Sequence, residues 1–203
     1  MASIYNKLFA KFYDLFMNGF EKGLVKNRQE LVSGLKGRVL EVGSGTGVNF
    51  EFYNEDAQVV AIEPSTPMIR VSKAKQCHCQ SIDFLNISIT DEVLFEHIEE
   101  QSFDFIISTL VLCTVNNPKQ AILNYKKLLK PNGKLVVLEH IHSSKKTHKR
   151  LQNFANPFWN VFSEGCNLNR NTDKLLLKGG FKSLEHKYFV RSLKWVQGVY
   201  EKD

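Results

Sequence analysis

No apolar run in this chain approaches the roughly 20 residues that a bilayer-crossing helix needs, so a membrane span is not expected. The first residues lack the continuous apolar stretch of a secretory signal, because Lys7, Lys11 and Asp14 interrupt them. Cysteine is scarce. Four residues (Cys77, Cys79, Cys113 and Cys166) in a chain of 203 suggest reduced thiols and a cytoplasmic location rather than a disulfide scaffold. Internal repeats and low-complexity stretches are missing as well. The net charge is +6, yet the lysines are scattered and the densest basic run, SSKKTHKR, is short. With no aromatic platform and no recognisable module, nucleic-acid binding is not expected. What remains is an ordinary globular composition, 43% apolar and 24% charged, read as one domain over residues 1–203.

Against this background one stretch stands out. In VLEVGSGTGVNF (residues 39–50) a short run of β-formers leads into Gly43, Gly45 and Gly47 at every second position. Glycine tolerates positive φ and lets a ligand approach the main chain. A helix starting near Gly47 would aim its free N–H groups at that ligand. An ordinary strand-to-helix turn needs fewer glycines. A dinucleotide fingerprint would place its third glycine at position 48, which is Val48, and a phosphate-binding loop would end in Gly-Lys-Ser/Thr, which is missing. Val48 at the third-glycine position disfavours a nicotinamide-dependent reductase.

Strand-like runs recur as RVLEV, AQVVAIE, SIDFLNI, SFDFIIS and KLVVLEHI, with helical stretches between most of them. That alternation predicts a doubly wound α/β fold on a mostly parallel sheet. Two final runs, SLEHKYFV and LKWVQGVY, flank a short Arg191-Ser192 turn and predict a C-terminal antiparallel hairpin, for seven strands in all. Residues 1–34 read as helical, with Phe9, Phe12, Phe16 and Phe20 three or four apart. Such a leader suits a lid over a site or a face lying on a membrane surface. Residues 142–170 interrupt the alternation and read as a substrate-side insertion.

The pattern E-x-G-x-G-x-G over residues 41–47 resembles motif I of class I S-adenosylmethionine-dependent methyltransferases. The runs RQELVSGLKGRVLEVGSGTGVNFEFY, STLVLCTVNNPKQAILNYKKLLKPNGKLVVLEHI and NPFWNVFSEGCNLNR resemble the alkyl thiol methyltransferase-like proteins, and in part the ubiquinone and phospholipid methyltransferases. This resemblance implies the Rossmann-like seven-stranded methyltransferase fold, with S-adenosylmethionine as cofactor and S-adenosylhomocysteine as product. It implies a cofactor site at Glu41, Gly43, Ser44, Gly45, Gly47 and Asn49 on the first loop. Glu63 after the second strand would bind the ribose, with Pro64, Ser65 and Met68 behind it. Ser88, Ile89 and Asp91 follow the third strand near the adenine, and Thr109 and Leu110 follow the fourth near the methyl. The acceptor implied is a small molecule. A thiol leads, with an amine, a phenol or quinone, or a phospholipid headgroup as rivals, and a cofactor-binding sensor as the non-enzymatic alternative.

A thiol acceptor must lose its proton, and His140 at the end of the fifth strand is the expected base, with His142 second. Asn167 and Arg170 suit a substrate carboxylate or phosphate. Trp159, Phe158 and Phe162 are expected to pack a helix. Cys113 and Cys166 read as small buried hydrophobes. Cys77-His78-Cys79 lacks a second Cys/His pair, so it reads as a loop and no metal site is expected.

Overall fold

The computed structural model describes residue 19 and residues 22–203. The Phe-rich leader expected at Phe9, Phe12, Phe16 and Phe20 therefore lies outside the described residues. Seven strands form one sheet in the order β3-β2-β1-β4-β5-β7-β6. They are β1 (Gly37–Val42), β2 (Ala57–Ile62), β3 (Ser81–Leu85), β4 (Phe103–Thr109), β5 (Leu129–Ile141), β6 (Phe181–Val190) and β7 (Lys194–Lys202). The first five run parallel, and β7 pairs antiparallel with both β5 and β6, as the sequence predicts.

Pleating divides each central strand between two cores. Leu40, Val42, Ile106, Leu135 and Val137 face one side. They meet α3 (Leu94–His97), α4 (Pro118–Leu128) and α6 (Thr172–Lys178) through Leu94, Ile122, Tyr125 and Leu176. Val39, Ile107, Val136 and Leu138 face the other side, against Leu31 and Val32 of α1 (Val25–Val32) and Trp195 of β7. Near-continuous apolar runs are what a parallel strand covered on both faces requires. The remaining helices are α2 (Thr66–Ser72) after β2 and α5 (Lys146–Phe162) after β5.

Four local features differ from expectation. No α-helix starts at Gly47. The chain turns there through Gly47 N–H to Ser44 O, and a 3-10 helix at Phe50–Phe52 follows, because Asn49 and Tyr53 are tied back to Glu41. Pro131-Asn132-Gly133, whose residue types favour a tight turn between helix and strand, is instead absorbed into β5 as an irregularity in its pairing with β4. Cys77 and Cys79 are joined by a disulfide, their Cα atoms 5.3 Å apart, because the loop before β3 folds the two thiols together. Only Cys113 and Cys166 are free, so the cysteine argument for a reducing compartment rests on those two. Finally, α5 packs by one face only. Gln152 on that face is buried, while Leu151, Phe154, Phe158 and Val161 are 64–79% exposed, and Phe162 is exposed too. Among the described residues, no helix is long and apolar enough to cross a membrane.

Candidate active site

A cavity of about 280 Å³ opens at the C-terminal edge of the parallel strands, where doubly wound sheets bind ligands. The loops after β1, β2, β3 and β4 wall it, together with Ser163 and Glu164 beyond α5. Gly43 and Gly45 lie on its floor with φ of +60° and +54°, a region that costs other residues about 1–2 kcal/mol. A Cβ at Gly45 would meet nothing closer than 4.0 Å, so that face of the loop is open to a ligand. Gly47 does something different: a Cβ there would stand 2.6 Å from the ring of buried Phe50. The third glycine serves packing.

Glu63 lines the cavity at the end of β2. Its carboxylate accepts Gly45 N–H at 3.0 Å and Ser65 N–H at 2.8 Å, which ties the glycine loop to the start of α2. Burial raises its pKa, and the charge of Glu164 adds to the rise. Pro64, Ser65 and Met68, and Ser88 and Ile89, line the walls as expected, with Leu110 and Val111 opposite. Leu110 holds φ of +61°, an unusual value for a branched residue. Glu139 explains how it persists. Buried at the end of β5, that carboxylate accepts the N–H groups of Val111 (2.8 Å), Leu112 (2.7 Å) and Cys113 (3.2 Å), and burial lifts its pKa to about 7. Arg170 grips the same loop, donating to the carbonyls of Leu112 and Val115, and Asn167 donates to Cys113 O. Both side chains are therefore committed to the fold rather than to a substrate anion.

Other expected site residues lie off the cavity wall. Glu41 is buried in a polar cluster, accepting from Asn49 Nδ2 (3.1 Å) and Tyr53 OH (2.7 Å), and burial pushes its pKa up to about 7. Arg28 of α1, which sequence reasoning missed, donates from Nη1 to Asn49 Oδ1 and Thr109 Oγ1. Glu41, Asn49 and Thr109 thus brace the loop from behind. Asp91 accepts Ser88 N–H at 2.6 Å and shapes the turn after β3. Among the described residues, Ser44 Oγ is buried without a hydrogen-bond partner.

His140 is also set back. Its side chain is buried edge-on against Trp195, with Nε2 3.0 Å from Cys166 Sγ. The two free thiols are 3.8 Å apart. Cys113 pushes Cys166 well below the ordinary thiol range, helped by His140, while Cys113 itself is pushed up by Cys166 and by burial. His142 is not part of this group; its Nε2 is buried and has no hydrogen-bond partner among the described residues.

The donor set identifies the ligand. Two carboxylates, Glu63 and Glu164, line the cavity, and among the described residues no lysine or arginine does. A pyrophosphate would find no counter-charge there, whereas a sulfonium with an amino-acid tail would. Ribose hydroxyls suit Glu63, and the Gly43–Gly45 backbone leaves room for a chain of atoms above it. Comparison with known proteins agrees. Residues 40–137 match the family described as a methyltransferase domain. The chain is an S-adenosylmethionine-dependent methyltransferase. It is 28% identical over 190 residues to human thiol S-methyltransferase TMT1A, covering 92% of this chain and 78% of that protein. Demethylmenaquinone methyltransferase of Renibacterium salmoninarum is 32% identical over 136 residues, covering 64% and 54%. An S-adenosylmethionine-dependent methyltransferase structure from Thermotoga maritima superposes with a TM-score of 0.60 at 19% identity, covering 95% of both chains. The methyltransferase fold and cofactor class follow.

Proposed function

We propose that this methyltransferase moves the methyl group of S-adenosylmethionine to the sulfur of a small, largely apolar thiol. The observation that carries the reading is the wall facing the acceptor end. Leu110, Val111 and Val115 form it with the single hydroxyl of Thr114, and the Arg170 and Asn167 side chains that reach this loop are spent on its carbonyls. A phospholipid headgroup or an acidic acceptor would need a cation there, and among the described lining residues none is present. The likeness to relatives named thiol S-methyltransferases supports the same choice.

Gly43, Gly45, Glu63, Pro64 and Met68 hold the cofactor, and of the three positions expected beside the adenine Ser88 and Ile89 take that place while Asp91 shapes their turn. The cofactor supplies an electrophilic methyl; the chain supplies position. Leu110, fixed in its strained conformation by Glu139, sets the acceptor wall, and a near-attack arrangement of sulfur and methyl is most of the catalysis required. The acceptor must also be ionised, because the thiolate is the nucleophile. His140 contributes to that ionisation through Cys166, whose Sγ lies 3.0 Å from its Nε2. A screen of alkyl thiols, amines and phenols with labelled cofactor tests the reading. Methylation of thiols is expected; methylation of amines or phenols alone overturns it.

Peripheral contact with a membrane surface belongs to the same proposal, and α5 supports it. Its outward face carries Leu151, Phe154, Phe158 and Val161 three or four residues apart, beside Lys145, Lys146, Lys149 and Arg150. An apolar face with a basic margin suits anionic headgroups.

A further inference from the structure

Three side chains from three separate segments meet beside the cavity. Cys113 comes from the loop after β4, His140 from the end of β5, and Cys166 from the turn between α5 and α6. Their donor atoms Sγ, Nε2 and Sγ all lie within 4.8 Å of one another. We infer that Cys113, His140 and Cys166 form a binding site for one thiophilic divalent cation of the zinc type.

The geometry supports this set. Two thiolates about 2.3 Å from a tetrahedral ion stand about 3.8 Å apart, and here the sulfurs are separated by 3.8 Å. Cys166 Sγ and His140 Nε2, now 3.0 Å apart, need to open by only about half an ångström for an ion to sit between them. The supports are rigid. His140 is held by Trp195, and the Cys113 main chain is pinned by Glu139 at its N–H and by Asn167 at its carbonyl. Asn167 also donates to Gly165 O, which steadies the Cys166 side. Both sulfurs bind as thiolates, any remaining thiol proton passing to water, and His140 binds through its Nε2 lone pair.

Three protein ligands leave a tetrahedral ion one open position, the pattern of catalytic rather than structural sites. Thr114 next to Cys113 and Glu164 near Cys166 both line the cavity, and Cys166 is only half-buried, so the open position lies on the cavity side. Resting on the thiol reading above, an acceptor thiol entering that position gives its proton to solvent. Its sulfur keeps a lone pair to form the new C–S bond as the sulfonium C–S bond breaks. The binding of the ion itself does not depend on that reading.

The test uses the full chain, stripped with a chelator and then exposed to Zn²⁺ or Co²⁺ without any methyl acceptor. About one equivalent of zinc should survive desalting, and cobalt should give a thiolate-to-metal charge-transfer band. Zinc should slow alkylation of Cys166 by tenfold or more, a readout that needs no variant. The double variant Cys113→Ser/Cys166→Ser should lose the band, and Cys77→Ser/Cys79→Ser should keep it. No zinc, no band and unprotected Cys166 in the wild-type chain would overturn the site, as would a band surviving in Cys113→Ser/Cys166→Ser. Intact zinc binding with no methylation of thiols would instead overturn the substrate reading and leave the site standing.

Discussion

Glu63 and Glu164 reach the same cavity from opposite ends of the chain, and the charge of Glu164 raises a Glu63 pKa that burial has already lifted. Two acids in one apolar pocket repel each other until a cation arrives. On the proposed reading the cofactor is that cation.

Affinity for S-adenosylmethionine should therefore rise with pH just above the ordinary carboxylate range, as Glu63 ionises, and then level off. Binding is expected at micromolar order or tighter, with none measurable for NAD. Glu63→Gln should flatten the pH dependence, and Glu63→Ala should cost ~1.5–3 kcal/mol of binding. Calorimetric titration from acid to neutral pH measures both. Unchanged affinity in both variants would place the cofactor elsewhere.

Glu41 makes a prediction about stability. Its folded pKa of about 7 exceeds the unfolded 4.5, so the folded chain holds the proton more tightly. Stability of the cofactor-free protein is therefore lost as pH rises from 4.5 toward 7 and stays lower above it. Glu41→Gln stays neutral while its amide still meets Asn49 and Tyr53. Relative to wild type, the variant should gain on the order of 3 kcal/mol across that interval. Urea denaturation at each end reads the difference, and a pH-independent gap would mean that Glu41 titrates normally.

Glu41 and Glu63 also show how far the sequence could be read. Each is an acid at the end of a buried strand, and both motifs and spacing were legible from the glycine run and the alternation of apolar stretches. What separates them is the pleat. Glu41 lies on the Val39 side of β1, under α1, where Arg28 and Tyr53 wait; Glu63 stands one residue beyond β2, clear of the core. No local pattern predicts Arg28, because its partners lie 21 and 81 residues away. The group of Cys113, His140 and Cys166 was hidden for the same reason: three segments supply one ligand each. Leu110 gives no signal at all in sequence, since its strain is imposed by Glu139 from a different strand. Disposition of the α5 aromatics was misread because a period near 3.6 marks an apolar face without saying what covers it.

That outward face yields a direct experiment. The intact protein should co-sediment with vesicles containing phosphatidylserine and much less with neutral ones, and salt should weaken the contact. Phe154→Asp with Phe158→Asp should abolish co-sedimentation while leaving cofactor affinity unchanged, since neither residue lines the cavity. Equal pelleting of this variant would remove α5 from any membrane contact.

His140 joins the two proposals and separates them. Buried against Trp195 and 3.0 Å from Cys166 Sγ, it can serve thiolate supply either by proton uptake with Cys166 or as an ion ligand. In both cases His140→Ala should lower thiol methylation at pH 7 by roughly a hundredfold or more, with cofactor affinity nearly unchanged. Alkaline pH should restore much of the loss, because solution then delivers the thiolate that the site no longer generates. Metal content decides between the roles. If His140 is a ligand, the variant should bind zinc more weakly than wild type by more than the roughly 10–100-fold that outer-shell partners contribute. If it is a proton acceptor alone, zinc retention will not change while turnover falls. Wild-type turnover in His140→Ala would reduce the residue to a packing partner of Trp195 and leave acceptor ionisation to Cys166.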